Sequence, residues 1–163
     1  DIGCVGAKLY YPNDTIQHAG VVLGMGGVAG HGHKNLQMQH PGYFGRLTVA
    51  QNYSAVTAAC FLVRKSIFQE VGGLNENDLT VAFNDVDFCL KVQEAGYRNL
   101  WTPYAELYHH ESLSRGADDT AEKQERFARE VDYMKSKWGQ YLQSDPYYSV
   151  NLSYVTPGFS IKI

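Results

Sequence analysis

The sequence predicts an α/β fold in which a mixed sheet is flanked by helices. Three observations support this prediction. Residues 2–10 form an apolar run spaced by glycines, as in a buried strand. Residues 85–95 repeat their apolar side chains at helical spacing, and residues 97–108 return to an extended pattern. With 163 residues, 44% of them hydrophobic, the chain is long and apolar enough to bury one core.

After the first strand, the sequence Pro12-Asn13-Asp14 is typical of a turn, and residues 16–23 are expected to form a second short strand. Residues 24–45 are rich in Gly and His and show no period, which predicts a long loop. Two histidines at His31 and His33 have a spacing that can bind metal, but two ligands are too few for a site. We therefore expect the histidines of this loop, including His40, to lie in solvent.

The middle of the chain alternates short elements. The small residues of the range 54–63 lead into a strand, and residues 65–71 predict a short helix that ends at Gly72-Gly73. Residues 74–83 then form a loop before the central helix.

The central helix begins with two carboxylates. Asn84 is a good N-cap residue, and Asp87 stands three positions later, as in a capping box. The helix is predicted from Asp85 to about Ala95, with Gly96 as its stop. Because residues two apart on a helix face roughly opposite sides, Asp85 and Asp87 cannot easily share one metal ion. We expect Asp87 to support the helix start and Asp85 to face what precedes the helix.

Beyond this helix, the extended residues 97–108 are expected to be broken at Pro103 into two short strands. Asp118 or Asp119 is expected to cap a long amphipathic helix that runs to about Trp138. Its predicted apolar face packs in the core and carries Phe127, Val131, Met134 and Trp138. The structure of the tail from Ser144 is not predicted.

Composition excludes some function classes. The 14 basic and 17 acidic residues give a net charge of −3, and no basic stripe favours nucleic-acid binding. No apolar run approaches the roughly 20 residues of a membrane span. Cys4, Cys60 and Cys89 are far apart in apolar contexts, which predicts buried free thiols in a reducing compartment.

The predicted first strand begins directly after Asp1, and the sequence has neither an initiating Met nor a capping segment before it. We therefore expect it to be a piece of a larger protein. Apolar surface left by a missing half would favour self-association.

Several short motifs follow one another along the chain. In order they are Lys8-Leu9-Tyr10-Tyr11-Pro12, Ile16-Gln17-His18-Ala19-Gly20, Val56-Thr57-Ala58-Ala59-Cys60, Val71-Gly72-Gly73-Leu74-Asn75-Glu76, Asn84-Asp85-Val86-Asp87 and His109-His110-Glu111-Ser112. Their order resembles the C-terminal half of a family 2 glycosyltransferase with the GT-A fold, a Rossmann-like domain. The resemblance covers residues 1 to about 116. A later motif, Asp145-Pro146-Tyr147-Tyr148, resembles the tail of bacterial members that build surface polysaccharides.

This resemblance implies that residues 1–163 form the acceptor-side portion of one glycosyltransferase domain, with residues 117–163 as its helical, Tyr-rich extension. The reaction implied is transfer, with inversion, of a hexosyl or deoxyhexosyl group from a nucleotide-sugar donor to a saccharide or lipid-linked acceptor. Asp85 matches the catalytic base, with Asn84 where many members have Glu, and Asp87 in support. The substrate-binding positions implied are Thr57, Ala58, Ala59, Gly73 and Leu74.

The resemblance also implies a divalent metal, Mg²⁺ or Mn²⁺, in the full-length enzyme. His109 or His110 matches the family's metal-binding His, and most other ligands are expected before residue 1, in the nucleotide-binding half. A fragment without that half is expected to be inactive alone. The resemblance further implies a cytoplasmic protein, free or at the inner face of the membrane.

Two other function classes remain open from the residues. A non-catalytic carbohydrate-binding module would use the 12 tyrosines as stacking surfaces, but it has no need for an acidic pair at a helix start. A metal-stabilised interaction domain would use His31, His33, His109 and His110. The absence of paired cysteines and of compact ligand spacing counts against it.

Overall fold

The computed structural model describes residues 1–110 and 120–162. The mixed α/β fold predicted from the sequence is confirmed. The strands are β1 (Ile2–Tyr10), β2 (Ile16–His18), β3 (Val21–Leu23), β4 (Ala29–His31), β5 (Gln51–Asn52), β6 (Phe61–Val63) and β7 (Arg98–Tyr108). The helices are α1 (Lys65–Glu70), α2 (Asn84–Glu94) and α3 (Ala121–Gln143).

Strand β1 is the centre of a five-stranded sheet. On one side it runs parallel to β7, which in turn pairs with β5. On its other side the first half of β1 pairs antiparallel with β6, and its last residues pair antiparallel with β2. The predicted buried strand over residues 2–10 is thus the strand that organises the sheet.

The single strand predicted over residues 16–23 is wrong, because the chain turns at Gly20. This residue has a φ of 96°, and a Cβ there would lie 2.5 Å from the Tyr53 ring. The chain therefore leaves the main sheet after β2, and β3 pairs with β4 in a separate hairpin. The long loop predicted over 24–45 accordingly contains β4 and two short 3₁₀ turns, Met25–Gly27 and Tyr43–Gly45.

Pro103 does not divide the last strand in two. Strand β7 is continuous, but its register against β1 shifts between Gly6, which faces Trp101, and Lys8, which faces Glu106. From Gly6 to Lys8 the β1 strand advances by two residues, whereas from Trp101 to Glu106 the β7 strand advances by five. The extra residues of β7 form a bulge that contains Pro103. A bulge leaves backbone groups outside the ladder, where proline's missing N–H costs nothing.

Helix α2 packs on β1 and β7 and buries its apolar side chains. Helix α3 begins at Ala121, where the Thr120 side chain accepts a hydrogen bond from the Lys123 N–H. The proposed caps Asp118 and Asp119 lie outside the described residues. On the predicted apolar face of α3, Met134 and Trp138 are buried and Val131 is half-buried, whereas Phe127 is 42% exposed.

The segment 144–162 follows α3 without further helices or strands, yet it adds to the core. Tyr148, Leu152 and Phe159 are buried. Asp145 is also buried, and its carboxylate accepts hydrogen bonds from the Leu23 N–H at 2.7 Å and the Ser54 hydroxyl at 2.8 Å. This carboxylate therefore ties the C-terminal segment to the β3 region.

The three cysteines are free, as predicted, with Cys4 and Cys89 buried and Cys60 half-buried. Within the described ranges, no helix combines the length and apolar character that crossing a bilayer requires.

Candidate functional site

The Asp85 carboxylate lies beside the segment 57–59. Its Oδ2 accepts a hydrogen bond from the Ala58 N–H at 3.1 Å, and its Oδ1 accepts one from the Val86 N–H at 2.9 Å. Asp85 and Thr57 are half-buried, and Ala58 and Ala59 are exposed. The structure thus brings Asp85 together with three of the five predicted substrate-binding positions.

Helix α2 contacts the backbone of this segment and of the preceding Val56 through two residues one turn apart, Asp85 and Cys89. Asp85 accepts the hydrogen bond from the Ala58 N–H, and the Cys89 thiol lies 3.5 Å from the Val56 nitrogen and 3.6 Å from the Val56 oxygen. Residues four apart on a helix lie on the same face. The face of α2 that carries Asp85 is therefore the face that holds the segment in place.

A pair of histidines supports the segment from the other side, and sequence reasoning did not identify it. The Thr57 N–H donates to His18 Nε2 at 3.4 Å, and His18 Nδ1 lies 2.8 Å from His31 Nδ1. Burial, together with the charge of His31, lowers the pKa of His18 well below its ordinary value. Since Nε2 accepts from Thr57, neutral His18 carries its proton on Nδ1, and this N–H donates a hydrogen bond to His31 Nδ1. The motif Ile16–Gly20 was the only sequence signal for His18.

A small polar cavity of about 70 Å³ adjoins Thr57. His109 is half-buried in its wall, where its Nδ1 lies 2.8 Å from Gln17 Oε1, while His110 is exposed. Of the two histidines matched to the metal-binding position, His109 is therefore the one beside the Thr57 segment. The cavity is lined by Tyr11, Gln17, His31, Lys34, Thr57 and His109.

In residues 1–110 and 120–162, no three His, Cys, Asp or Glu side chains come close enough together to hold a metal ion. The described residues therefore do not form a complete metal site. The expectation that the loop histidines lie in solvent holds for His40 but is wrong for His31 and His33. His33 is buried, stacks on Phe159 at 4.0 Å and accepts a hydrogen bond from the Tyr43 N–H.

Asn84 does not cap α2. Phe83 occupies the N-cap position with a left-handed φ of 60° and makes no side-chain cap bond. The Asn84 amide instead holds the preceding loop, donating to the backbone oxygens of Asn75 and Leu79 and accepting from the Asn75 N–H. This loop supplies Asn84 with three backbone partners, so its amide is no longer available as a cap.

The capping-box role predicted for Asp87 is also wrong. Asp87 is fully buried, forms ion pairs with Lys91 at 3.3 Å and Lys137 at 2.8 Å, and accepts a hydrogen bond from Trp138 Nε1 at 2.9 Å. It therefore joins α2 to α3. The prediction that Asp85 and Asp87 face different sides of α2 is confirmed.

Gly73 and Leu74, the other two predicted substrate-binding positions, lie on the Asp87 side of α2. They line a larger cavity of about 490 Å³, and Asp85 is not part of its wall. Lys91 Nζ donates to the Gly73 carbonyl oxygen at 2.6 Å. Contact of Gly73 and Leu74 with a substrate stays a prediction. The cavity is lined by Phe68, Gly72, Gly73, Leu74, Asn75, Glu76, Asn77, Lys91 and Lys137.

Comparison with known proteins finds bacterial relatives of greater length. The chain is 64% identical over 152 residues to uncharacterized protein y4gI of Sinorhizobium fredii, an alignment that covers 93% of this chain and 17% of that protein. It is 37% identical over 160 residues to O-antigen biosynthesis protein RfbC of Myxococcus xanthus, covering 94% of this chain and 12% of that protein. The chain thus spans less than a fifth of either relative.

A shorter match joins 63 residues, 36% identical, to the N-acetylglucosaminyl-diphospho-decaprenol L-rhamnosyltransferase of Mycobacterium tuberculosis, covering 39% of this chain and 20% of that enzyme. No family model and no solved structure matches the chain. The chain is therefore related to proteins named for O-antigen biosynthesis and for rhamnosyl transfer.

Proposed function

We propose that this chain forms the acceptor-side part of an inverting glycosyltransferase of the GT-A type that acts in surface-polysaccharide synthesis, with Asp85 as the general base. The observation that carries the proposal is the placement of the Asp85 carboxylate, which is half-buried and held by the Ala58 N–H beside an exposed segment. The names of two relatives support the reaction class.

In this reaction the acceptor hydroxyl oxygen attacks the anomeric carbon of the donor sugar. The new carbon–oxygen bond forms as the bond to the nucleotide diphosphate breaks, which inverts the configuration, and the hydroxyl proton passes to Asp85. Each Asp85 oxygen accepts one backbone hydrogen bond and keeps further lone-pair capacity for that proton. A base within hydrogen-bond reach of the hydroxyl is what this step requires.

The proposal also covers the chemical class of the sugar donor and of the acceptor. The name of the mycobacterial relative favours a deoxyhexosyl donor and a lipid-linked acceptor. A divalent cation, Mg²⁺ or Mn²⁺, would neutralise charge on the diphosphate. We propose His109, which lines the cavity beside Thr57, as a ligand in preference to the exposed His110. The described residues alone do not complete a site for this ion. We further propose that the protein works in the cytoplasm or at the inner face of the membrane, and that it self-associates through exposed apolar side chains, which include Phe44, Leu62 and Val155.

The test is transfer by the full-length protein from a panel of UDP- and dTDP-sugars to a lipid-linked acceptor, in wild type and Asp85→Asn. Asp132→Asn, which removes an exposed carboxylate from α3, is the matched control. Loss of transfer in Asp85→Asn alone supports the proposal. If the wild-type protein binds saccharide but transfers no sugar, the proposal is wrong and the protein is better described as a non-catalytic carbohydrate-binding module.

A further inference from the structure

The cavity of about 490 Å³ on the Asp87 side of α2 carries two lysine side chains in its wall, Lys91 and Lys137. We propose that it is a binding site for a phosphate-type anion, held by these two ammonium groups. The site is separate from Asp85, which lies on the other side of α2, so it stands or falls independently of the proposed transferase reaction.

Asp87 sets the positions of both ammonium groups. It is fully buried and is not part of the cavity wall, whereas both lysines are. Lys91 and Lys137 approach its two carboxylate oxygens from different helices, at 3.3 Å and 2.8 Å. One cation is enough to neutralise a single buried carboxylate. The second offsets Glu76, the acidic side chain of the cavity wall, and its charge is uncompensated once Glu76 is replaced by a neutral residue.

Each ammonium group also has one N–H group that is not used in the contacts with the protein. Lys91 Nζ contacts Asp87 and the Gly73 carbonyl, and Lys137 Nζ contacts Asp87 and the Tyr133 hydroxyl. An ammonium group carries three N–H donors. Among the described residues neither Nζ has a third oxygen or nitrogen acceptor, although Lys137 Nζ also lies 4.9 Å from the Trp138 ring centroid. Each ammonium group can therefore donate one hydrogen bond to a ligand.

The rest of the wall favours an anion with several oxygens. Leu74 and Glu76 belong to the wall, and their backbone N–H groups have no acceptor within the described part of the chain. Phosphate oxygens accept several such bonds at once, and ionised acceptors make the stronger ones. The side chain of Glu76 opposes binding, since it is exposed and brings a negative charge to the same wall.

Glu76 provides the sharpest test, because its side chain makes no described hydrogen bond or ion pair and its loss should leave the fold intact. Binding of inorganic pyrophosphate to the full-length protein is measured by calorimetry at low ionic strength. Glu76→Gln should tighten binding about threefold, the Coulomb effect of one charge removed from a solvated site. Glu94→Gln, which removes an exposed carboxylate of α2 outside the cavity, should change binding far less.

The lysines give the opposite change. Lys137→Gln should weaken binding at least about fivefold, and Lys135→Gln, an exposed lysine of the same helix outside this cavity, should have little effect. The same variants are compared on vesicles of phosphatidylglycerol and of phosphatidylcholine. Lysine-dependent binding to pyrophosphate indicates a soluble phosphate ligand, and lysine-dependent binding only to phosphatidylglycerol indicates a lipid headgroup.

Two results would overturn the inference. One is an absence of saturable binding to both pyrophosphate and phosphatidylglycerol vesicles by the wild-type protein. The other is an equal effect of Glu76→Gln and Glu94→Gln, which would show that only the overall charge of the protein matters.

Discussion

The backbone N–H of Ala58 donates to Asp85 Oδ2 across 3.1 Å, which joins the first turn of α2 to an exposed segment of the chain. The donor is a main-chain group, so the direction of the Asp85 carboxylate depends on where the backbone runs and not on the side chain at position 58. The backbone is itself held by Cys89 through Val56 and by His18 through Thr57. Asp85 is therefore presented in a fixed orientation.

Asp85→Asn should cut sugar transfer by about 10²–10⁴-fold, the usual range for loss of a general base, because the amide cannot take up the proton. The free energy of unfolding should change by less than about 1 kcal/mol, since the Asn oxygen can still accept from a backbone N–H. The measurements are transfer kinetics and thermal melting. Near-wild-type turnover in a folded Asp85→Asn variant would exclude Asp85 as the base.

Asp87→Asn should instead destabilise the protein, by about 2–4 kcal/mol. The substitution leaves Lys91 and Lys137 without their buried counter-charge, and breaking such a pair costs more than its net contribution. Both lysines are partly solvated, which keeps the loss below that of a fully buried pair. Urea unfolding measures the effect. If Asp87→Asn abolishes transfer with unchanged stability while Asp85→Asn keeps near-wild-type turnover, the roles of Asp85 and Asp87 must be exchanged.

His33 should make stability depend on pH. Burial, followed by the charges of Arg46 and His40, lowers the pKa of His33 to about 3. In the unfolded chain this His has a pKa of about 6.5, so between pH 6.5 and 3 the unfolded state binds a proton that the folded state does not bind. The stabilisation from neutral His33 is therefore complete above pH 6.5 and is lost as pH falls toward 3. The loss approaches about 1.4 kcal/mol per pH unit.

Urea unfolding of wild type and His33→Gln at pH 7, 6 and 5 tests this dependence. The stability advantage of the wild type should shrink at each step toward lower pH, because Gln does not titrate. A constant difference across this range would show that His33 is not held in its neutral form.

Asp145→Ala should unfold the protein more easily, by about 3 kcal/mol, because it leaves the buried Leu23 N–H and Ser54 hydroxyl without their acceptor. Ser54→Ala removes one of these bonds and should cost about 1 kcal/mol. Chemical denaturation of the two variants provides the comparison. Equal stability of Asp145→Ala and wild type would mean that the segment 144–162 is not anchored through this carboxylate.

The elements that sequence reasoning predicted well are those encoded by local patterns. Strand β1 and helix α2 lie within one residue of their predicted bounds, because the glycine-spaced apolar run and the helical spacing of apolar side chains are properties of neighbouring residues. The opposite facing of Asp85 and Asp87 follows from helix geometry alone.

The errors arise where distant residues decide the outcome. Asp87 looks like a capping residue in sequence, but Lys137, fifty positions later, supplies a partner that outcompetes the helix end. His18 is one polar residue in a short strand until folding places Thr57 and His31 against its ring. The segment from Ser144 has no period, so the burial of Asp145 could not be predicted from local spacing.

The parallel pairing of β1 with β7 has a consequence for how the chain folds. Ile2 lies opposite Arg98 and Tyr10 opposite Tyr108, so the two central strands are about a hundred residues apart in sequence. The intervening loop must close before their ladder forms, and contacts of such long range slow folding. During synthesis the edge of β1 that pairs with β7 stays unpaired until β7 has left the ribosome. In that interval we expect the chain to depend most on chaperones. Pulldown of nascent chains stalled while β7 is still inside the ribosome, and of chains stalled after β7 has fully emerged, would measure this dependence.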